Sequence, residues 1–178
     1  MLSLKLINPI NYSQVIMTDG TVIENVKDTI ALGSEIVESA ENEIMWIAPR
    51  PKLVYASQFG IIEIFKTLIQ NGVRVRGISD LSYLYIDTVH ELLDIGQDVR
   101  HFEKYQGVFI IVVDGRKSIS TISVNAENLS IDDHVVALWS DDPTHAEYLM
   151  SIFETAWEQA IPAAQRIEEL LKEGALQA

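Results

Sequence analysis

The fold of this chain is decided by one stretch, Gly107-Val108-Phe109-Ile110-Ile111-Val112-Val113-Asp114-Gly115, and by Ile122-Ser123-Val124-Asn125 shortly after it. A continuous run of Val, Ile and Phe predicts a strand that is covered on both faces of a sheet. The run stops at an Asp-Gly turn, and the second stretch ends in Ser-x-Asn. Two buried strands would therefore bring a carboxylate, a hydroxyl and an amide to one end of the sheet, where side chains can face a ligand.

Length and composition predict one folded domain. The chain has 178 residues, of which 48% are hydrophobic and 22% are charged. These values suit a domain with a full core and exclude a disordered chain. No apolar run approaches the roughly 18 residues needed to span a bilayer, and the first residues lack the layout of a secretion signal. We therefore expect a cytoplasmic protein.

Charge and cysteine content argue against several functions. The chain carries 13 Lys and Arg against 26 Asp and Glu, a net charge of −13, whereas nucleic-acid binding depends on clustered basic residues. We expect no nucleic-acid partner through this chain alone and no membrane partner. The absence of cysteine removes disulfides, thiolate catalysis and Cys-ligated zinc. No H-x-H or H-x-x-x-H spacing occurs either, so we expect neither a metal nor another cofactor.

Strands and helices alternate along the rest of the chain. Apolar runs predict four further strands, at residues 44–48, 73–78, 99–102 and 135–139. Helical spacing predicts a helix before the first of these strands, which begins at Thr21 with a capping box that includes Glu24. It also predicts helices between the first and second strands and between the second and third. This alternation predicts an α/β fold with a mixed, mostly parallel sheet that is flanked by helices.

The C-terminal part of the chain predicts a long helix. Asp142 and Pro143 suit its start, and a heptad-like apolar stripe continues past Trp157, with a kink expected at Pro162. The chain then divides into three segments. Residues 1–20 form an N-terminal extension or edge hairpin, residues 21–162 form the domain, and residues 163–178 form a C-terminal helical extension.

Ligands of such sheets bind in loops at the carboxyl ends of the strands. The polar side chains that we place there are Arg50, Asp80, Asp114, Ser123, Asn125 and His134. Simpler interpretations stay open for most of them. Asp114 can cap its own Asp-Gly turn, and Ser123 and Asn125 can bond local amides. Arg50 can belong to a rigid Pro-x-Pro connection, and His134 can lie in a surface turn.

The strand pair quoted first resembles the active-site hairpin of the phospholipase D superfamily, whose signature is H-x-K-x4-D followed by G-S-x-N. The three later positions match Asp114, Ser123 and Asn125. The two earlier positions hold Gly107 and Phe109 instead of His and Lys. In that superfamily the His is the nucleophile and the Lys binds the phosphate. The resemblance therefore implies one half of a phospholipase D-like scaffold, without the groups that perform the reaction.

Other motifs resemble the C-terminal effector domain of archaeal TrmB-like transcriptional regulators, which is built on a phospholipase D-like fold. They include Asn-Gly-Val-x-Val-Arg at 71–76, Gly-x-x-Val-Arg at 96–100 and Val-Val-Ala-Leu-Trp at 135–139. The similarity covers residues 25–162. It implies a sensory domain that acts in signal transduction or transcription regulation, and a sugar or a phosphorylated metabolite as its ligand.

Three hypotheses for the function follow. The first is a non-catalytic domain, expected to be a homodimer, that binds a small molecule at the carboxyl ends of the strands and passes the signal through its C-terminal helix. The second is a phosphodiesterase-type enzyme, which would need His101 or His134 as a replacement nucleophile. The third is a pure dimerisation module.

Overall fold

A computed structural model describes residues 21–49, 59–104, 108–123 and 134–175. The predictions for residues 1–20 and 176–178 lie outside these described ranges. The strands are β1 (Thr21–Asn25), β2 (Glu43–Ile47), β3 (Arg74–Ser79), β4 (Asp98–His101), β5 (Ile110–Val113), β6 (Lys117–Ser123), β7 (His134–Ser140) and β8 (Ile161–Pro162). The α-helices are α1 (Val26–Glu38), α2 (Ile61–Gln70), α3 (Ile86–Asp94), α4 (Pro143–Gln159) and α5 (Ala163–Ala175), and a 3-10 helix spans Tyr83–Tyr85.

All of these strands belong to one sheet, in the order β1-β7-β6-β5-β2-β3-β4-β8. The β2–β3 and β3–β4 pairings are parallel, and the other five are antiparallel. The prediction of an α/β fold with a mixed sheet and flanking helices is confirmed, but the prediction that the sheet is mostly parallel is wrong. The reason is that β5 and β6 are joined by a turn at residues 114–116, and a tight turn can only join antiparallel strands.

Both faces of the sheet are covered. Along β2, Ile44 and Trp46 belong to the core cluster that includes side chains of α1, α2 and α3. Met45 and Ile47 belong to a second cluster with α4. All four residues of β5 are buried as well. Successive side chains of a strand point to opposite faces, so β5 is covered on both faces. The continuous apolar run in the sequence thus reflects a central strand with a helical layer on each side.

Two helices end where glycine predicts that they should. Gly72, just after α2, has a φ of 92°, and Gly96, just after α3, has a φ of 95°. This left-handed conformation ends a helix at little cost only when the residue lacks a β-carbon. Each glycine therefore turns the chain from its helix into the next parallel strand, so that β3 lies beside β2 and β4 lies beside β3.

The N-terminal part of the domain differs from the prediction. Residues Thr21–Asn25 form a strand at the sheet edge, paired with β7, and not the first turn of a helix. The helix α1 starts one residue later, with the Oδ1 of Asn25 accepting a hydrogen bond of 2.8 Å from the backbone N–H of Asp28. The prediction of a capping box at Thr21 is wrong, because pairing with β7, more than a hundred residues away in the sequence, determines the local structure.

The C-terminal helix begins as predicted and ends earlier. The Oδ1 of Asp142 caps α4 by accepting a 2.8 Å hydrogen bond from the backbone N–H of Thr144. The helix stops at Gln159. The predicted kink at Pro162 is wrong, because Ile161–Pro162 pairs with β4 as the short strand β8, the last strand in the order of the sheet. An edge position tolerates the missing N–H of proline.

The final helix packs onto the sheet. Ala163 and Ile167 of α5 are buried in the same core cluster as Trp46. Residues 163–175 therefore pack against the domain and do not extend away from it. In this position the charge of Arg166 on α5 acts on His101, the last residue of β4.

A buried arginine fastens α4 to the other face of the sheet. Arg76 of β3 is 6% exposed, and its Nε lies 2.9 Å from Oε1 of Glu43. Its Nη2 lies 2.6 Å from Oε1 of Glu154 on α4. The guanidinium also lies over the rings of Phe153 and Trp157, at 5.0 and 5.3 Å. Burial disfavours this charge, but the two carboxylates outweigh the burial and raise the pKa of Arg76.

Candidate ligand site at the carboxyl ends of the parallel strands

The registers of the strands show which chain segments meet at the carboxyl end of β2. Ile47 at the end of β2 pairs with Ile78 of β3 and with Ile110, the first residue of β5. The strand β6 then runs back towards this end and finishes at Ser123. Since Ser123 pairs with Val136, β7 starts at the same end. This edge is the one at which open α/β sheets bind ligands.

Asp80 and His101 lie together at this edge. Asp80 directly follows β3 and is 8% exposed, and His101 ends β4 and is 9% exposed. The Nδ1 of His101 accepts a 2.9 Å hydrogen bond from the backbone N–H of Leu81. This bond requires Nδ1 to be unprotonated, so neutral His101 carries its proton on Nε2. Nε2 lies 3.4 Å from Oε1 of Glu103.

Three charged groups act on His101: Arg166 on α5, Glu103 after β4 and Asp80 after β3. Burial lowers the pKa of His101 and is the largest effect, and the positive charge of Arg166 on α5 acts in the same direction. The negative charges of Glu103 and Asp80 oppose both, but the pKa still falls below its ordinary value. His101 is therefore a neutral donor and acceptor at neutral pH.

Arg166 brings the C-terminal helix into this site. Its Nη1 lies 3.3 Å from Oε2 of Glu169 and 3.2 Å from Oε1 of Glu173, both on α5. Its Nε is buried and has no hydrogen-bond partner among the described residues, and the same is true of the Oγ of Ser79, the neighbour of His101 in the sheet. Buried polar atoms of this kind are costly unless water or a ligand satisfies them.

Asp114 lies at the opposite end of the sheet. Val113, which precedes it, pairs with Ile44 near the start of β2. The carboxylate of Asp114 accepts hydrogen bonds of 2.8 Å from the backbone N–H groups of Glu41, Asn42 and Glu43. Partial burial works to raise its pKa, but these three bonds outweigh it and lower the pKa. The structure thus supports the interpretation of Asp114 as a backbone cap and does not bring it together with Ser123.

The remaining predicted site residues are placed only in part. The backbones of Ser123 and His134 lie at the same end as Asp80, and their side chains lie outside the described part of the chain. Arg50 and Asn125 lie outside it altogether. Of the six residues, the structure therefore brings Asp80 and the backbones of Ser123 and His134 to one edge. Contact of any of them with a ligand stays a prediction.

The position that corresponds to the phosphate-binding lysine holds an aromatic ring. Phe109 is half-buried and packs against the larger core cluster. Its backbone carbonyl accepts a 2.9 Å hydrogen bond from the N–H of Thr121, which holds the start of the hairpin together. An apolar ring in this place gives a phosphate no positive charge. Gly107 lies outside the described residues.

Sequence reasoning did not place His101 and Arg166 in one site. A signal for His101 was present, since it is the last residue but one of the strand predicted at residues 99–102. Arg166 gave no signal of its own, because its role depends on α5 folding back over β4. Among the described residues, no group of three or more His, Asp or Glu side chains is arranged to hold a metal ion. No helix in these ranges has the length and apolar composition to cross a membrane.

No protein-family model and no curated protein sequence matches this chain. Solved structures do match it. One is TrmBL2, described as an archaeal chromatin protein with a novel mode of DNA binding, with a TM-score of 0.63 and 14% identity over 85% of this chain and 56% of that one. Another is Nuc from Salmonella typhimurium, described as a phospholipase D family member, with a TM-score of 0.62 and 15% identity over 81% of this chain and 98% of that one. The fold is phospholipase D-like.

A third structure extends the same result. NucT from Helicobacter pylori superposes with a TM-score of 0.59 and 12% identity over 80% of this chain and 98% of its own. Identities this low establish the fold and leave the function open. The phospholipase D-like fold and its similarity to a TrmB-like protein confirm the resemblance seen in the sequence. The chain spans a little more than half the length of TrmBL2.

Proposed function

We propose that this chain is a non-catalytic sensory domain of a regulatory protein, which binds a small molecule at the carboxyl ends of β2, β3 and β4. The observation that carries the proposal is Phe109. Its ring packs against the core at the position of the phosphate-binding lysine, and Gly107 stands at the position of the nucleophile. A phospholipase D-like scaffold without both groups keeps a ligand-facing edge and lacks the means to cleave a phosphodiester.

The chemistry of this edge supports a polar organic ligand. Asp80 supplies a buried carboxylate, and neutral His101 supplies the N–H donor at Nε2, whereas its Nδ1 already accepts the N–H of Leu81. Arg166 adds a cation whose Nε is unsatisfied within the described residues. A few polar groups that converge among apolar side chains are typical of sites for small metabolites. A sugar or a phosphorylated metabolite fits these groups.

The output of the domain is proposed to pass through α5. This helix contributes Arg166 to the ligand edge and Ile167 to the core. A ligand that binds Arg166 more strongly in one position of α5 would bias the helix towards that position. We also propose that the domain serves transcription regulation without contacting DNA itself, since its net charge of −13 repels phosphates. The DNA binding described for TrmBL2 supports the regulatory role only.

A thermal-shift screen of the purified chain against sugars, phosphorylated sugars and other metabolites tests the proposal. A ligand present at a hundred times its dissociation constant adds about 2.7 kcal/mol to the free energy of unfolding. Asp80→Asn should abolish the shift. Asp98→Asn is the matched control, because Asp98 is exposed at the start of β4, at the opposite end of the sheet.

Two outcomes would contradict the proposal. If no metabolite shifts the unfolding temperature while sedimentation shows a stable dimer, the chain is a dimerisation module. If a ligand shifts both variants as much as the unchanged protein, it binds elsewhere. A homodimer that also binds a ligand agrees with the proposal.

A further inference from the structure

Three polar side chains of the candidate ligand site flank His101. Ser79 pairs with His101 in the register of β3 and β4 and is 2% exposed. Its Oγ has no hydrogen-bond partner among the described residues, and neither has the buried Nε of Arg166. The positive charge of Arg166 acts on His101, and so does the negative charge of Asp80, which is 8% exposed. The histidine therefore has a hydroxyl, a cation and a carboxylate around it.

The ion pairs of Arg166 leave part of its guanidinium available. Its contacts with Glu169 and Glu173, at 3.3 and 3.2 Å, both go through Nη1. The Nε–H is a separate donor of the same planar group, and it is buried without a partner among the described residues. A carboxylate is an acceptor that arginine binds strongly and in a defined geometry. The unsatisfied Nε–H therefore favours a ligand that carries a carboxylate.

The charges of the site favour a ligand that also carries a positive group. Asp80 and Glu103 both act on His101 with negative charge, and Arg166 is already bonded to two further carboxylates. A phosphate monoester would add about two negative charges to this set. A sugar can form the hydrogen bonds but offers neither an anion to the arginine nor a cation to the carboxylates. A ligand with one charge of each sign offers both and leaves the net charge of the site unchanged.

We propose that the ligand is an α-amino acid, whose carboxylate is bound by Nε of Arg166 and Oγ of Ser79 and whose ammonium group is bound by Asp80. The Nε2–H of neutral His101 is a further donor to the carboxylate, since its contact with Glu103 is long, at 3.4 Å. Both charged groups of an α-amino acid are attached to the same carbon, which suits a site where a cation and a carboxylate act on one histidine. The inference rests on the proposed function and narrows its ligand class.

A comparison of ligands on the full chain tests this inference. Thermal shift ranks the common L-α-amino acids beside sugars and sugar phosphates, and isothermal titration calorimetry then measures the dissociation constant of the amino acid with the largest shift. Two analogues of that amino acid are the matched probes: its primary amide, which lacks the carboxylate, and its deaminated acid, which lacks the ammonium group. We expect each analogue to bind about tenfold more weakly or worse, because each loses one charged contact.

Arginine variants test which residue recognises the carboxylate. In Arg166→Gln the amino acid and its primary amide should bind equally, because the group that distinguishes them is gone. A purely structural role of Arg166 would weaken both compounds and keep their ratio. Arg116→Gln is the matched control, since Arg116 is 63% exposed in the turn between β5 and β6, at the opposite end of the sheet. It should keep the ratio of the unchanged protein.

Serine variants give a second test that does not depend on the arginine. Ser79→Ala should weaken binding of the amino acid and raise the melting temperature of the ligand-free protein, because it removes a buried hydroxyl without a partner. Ser118→Ala is the matched control. Ser118 of β6 is 0% exposed, and its Oγ lies 3.1 Å from Nδ1 of His145. Its loss should lower the melting temperature and leave binding unchanged.

The results separate this inference from the proposed function. If no compound shifts the unfolding temperature, both are wrong. If sugars or sugar phosphates shift it and amino acids do not, the proposed function stands and the inference is overturned. Equal binding of the amino acid and its two analogues would also overturn the inference, as would a ratio of amino acid to amide that Arg166→Gln leaves unchanged. A lower melting temperature of ligand-free Ser79→Ala would show that this hydroxyl serves the fold, which contradicts its assignment to the ligand.

Discussion

The indole of Trp46 occupies the space beside Gly77, its partner on the neighbouring parallel strand. A β-carbon at position 77 would lie 2.0 Å from Cζ2 of Trp46. The Nε1 of Trp46 donates a 3.1 Å hydrogen bond to Oε1 of Gln97, which precedes β4. The ring therefore crosses β3 and ties β2 to the start of β4. This contact stabilises the packing of the three parallel strands β2, β3 and β4 against one another.

Gly77→Ala should destabilise the protein by about 3 kcal/mol or more, because the new methyl group overlaps a buried ring that has no free space to move into. Urea unfolding measures the change. Gly33→Ala is the matched control, since its nearest neighbour would be Cδ1 of Ile111 at an ordinary 3.8 Å. It lies within α1, where alanine should stabilise the helix by about 0.5–1 kcal/mol. Equal effects of the two substitutions would contradict the Trp46 contact.

Asp114→Asn should lower the free energy of unfolding by roughly 1–2 kcal/mol at neutral pH, because an amide cannot accept all three backbone hydrogen bonds. Asparagine tolerates the left-handed backbone at this position, where φ is 51°. The effect of the substitution therefore reports on the lost bonds and not on strain. Chemical denaturation of both proteins measures it, with Asp98→Asn at the same end of the sheet as control.

The effect of Asp114→Asn should depend on pH. The folded state lowers the pKa of Asp114 below its ordinary value of 3.8. The carboxylate thus contributes its full stabilisation above that value and loses it as the pH falls through the folded pKa. The stability difference between the two proteins should be constant from neutral pH down to about pH 5 and shrink below about pH 4. A difference that grows in acid would contradict this account.

His101→Asn should flatten the acid dependence of stability. The folded state lowers the pKa of His101 below 6.5, so its contribution is present above 6.5 and is lost as the pH falls towards the folded pKa. Asparagine keeps an acceptor for the N–H of Leu81 and does not titrate. Unfolding free energies measured between about pH 7 and pH 5 should fall less in the variant. A slope in His101→Asn equal to that of the unchanged protein would contradict this account.

Phe109→Lys should destabilise the domain by roughly 1–3 kcal/mol, because it removes a packed ring and places an ammonium group against apolar side chains. The substitution restores the lysine of the phospholipase D motif without its histidine. We therefore expect no gain of phosphodiesterase activity. Thermal unfolding and a colorimetric phosphodiesterase assay check the two parts. An unchanged melting temperature would mean that Phe109 is not part of the core.

The sequence predicted elements whose signals are local. The glycines after α2 and α3 and the Asp142 cap of α4 act within one turn of chain, and the structure contains all of them. The elements that the sequence did not predict depend on distant partners. Thr21–Asn25 is a strand only because β7 pairs with it, and Pro162 lies in a strand only because Arg100 is its partner.

The position of Asp114 could have been predicted from the sequence. Only eight residues separate His101 from Ile110, and a parallel connection needs a dozen or more. The strand β5 therefore had to run antiparallel to β4, which takes its Asp-Gly turn to the far end of the sheet. The meeting of Arg166 with His101 had no such signal, since it depends on how a C-terminal helix packs in three dimensions.

Phosphodiester turnover tests the central claim most directly. Purified protein is assayed on bis(p-nitrophenyl) phosphate and on DNA, beside His101→Asn and His134→Ala. The account predicts that none of the three hydrolyses either substrate faster than buffer does, because the chain has no nucleophile and no ammonium group at the motif positions. Hydrolysis by the unchanged protein that either histidine substitution abolishes would contradict it.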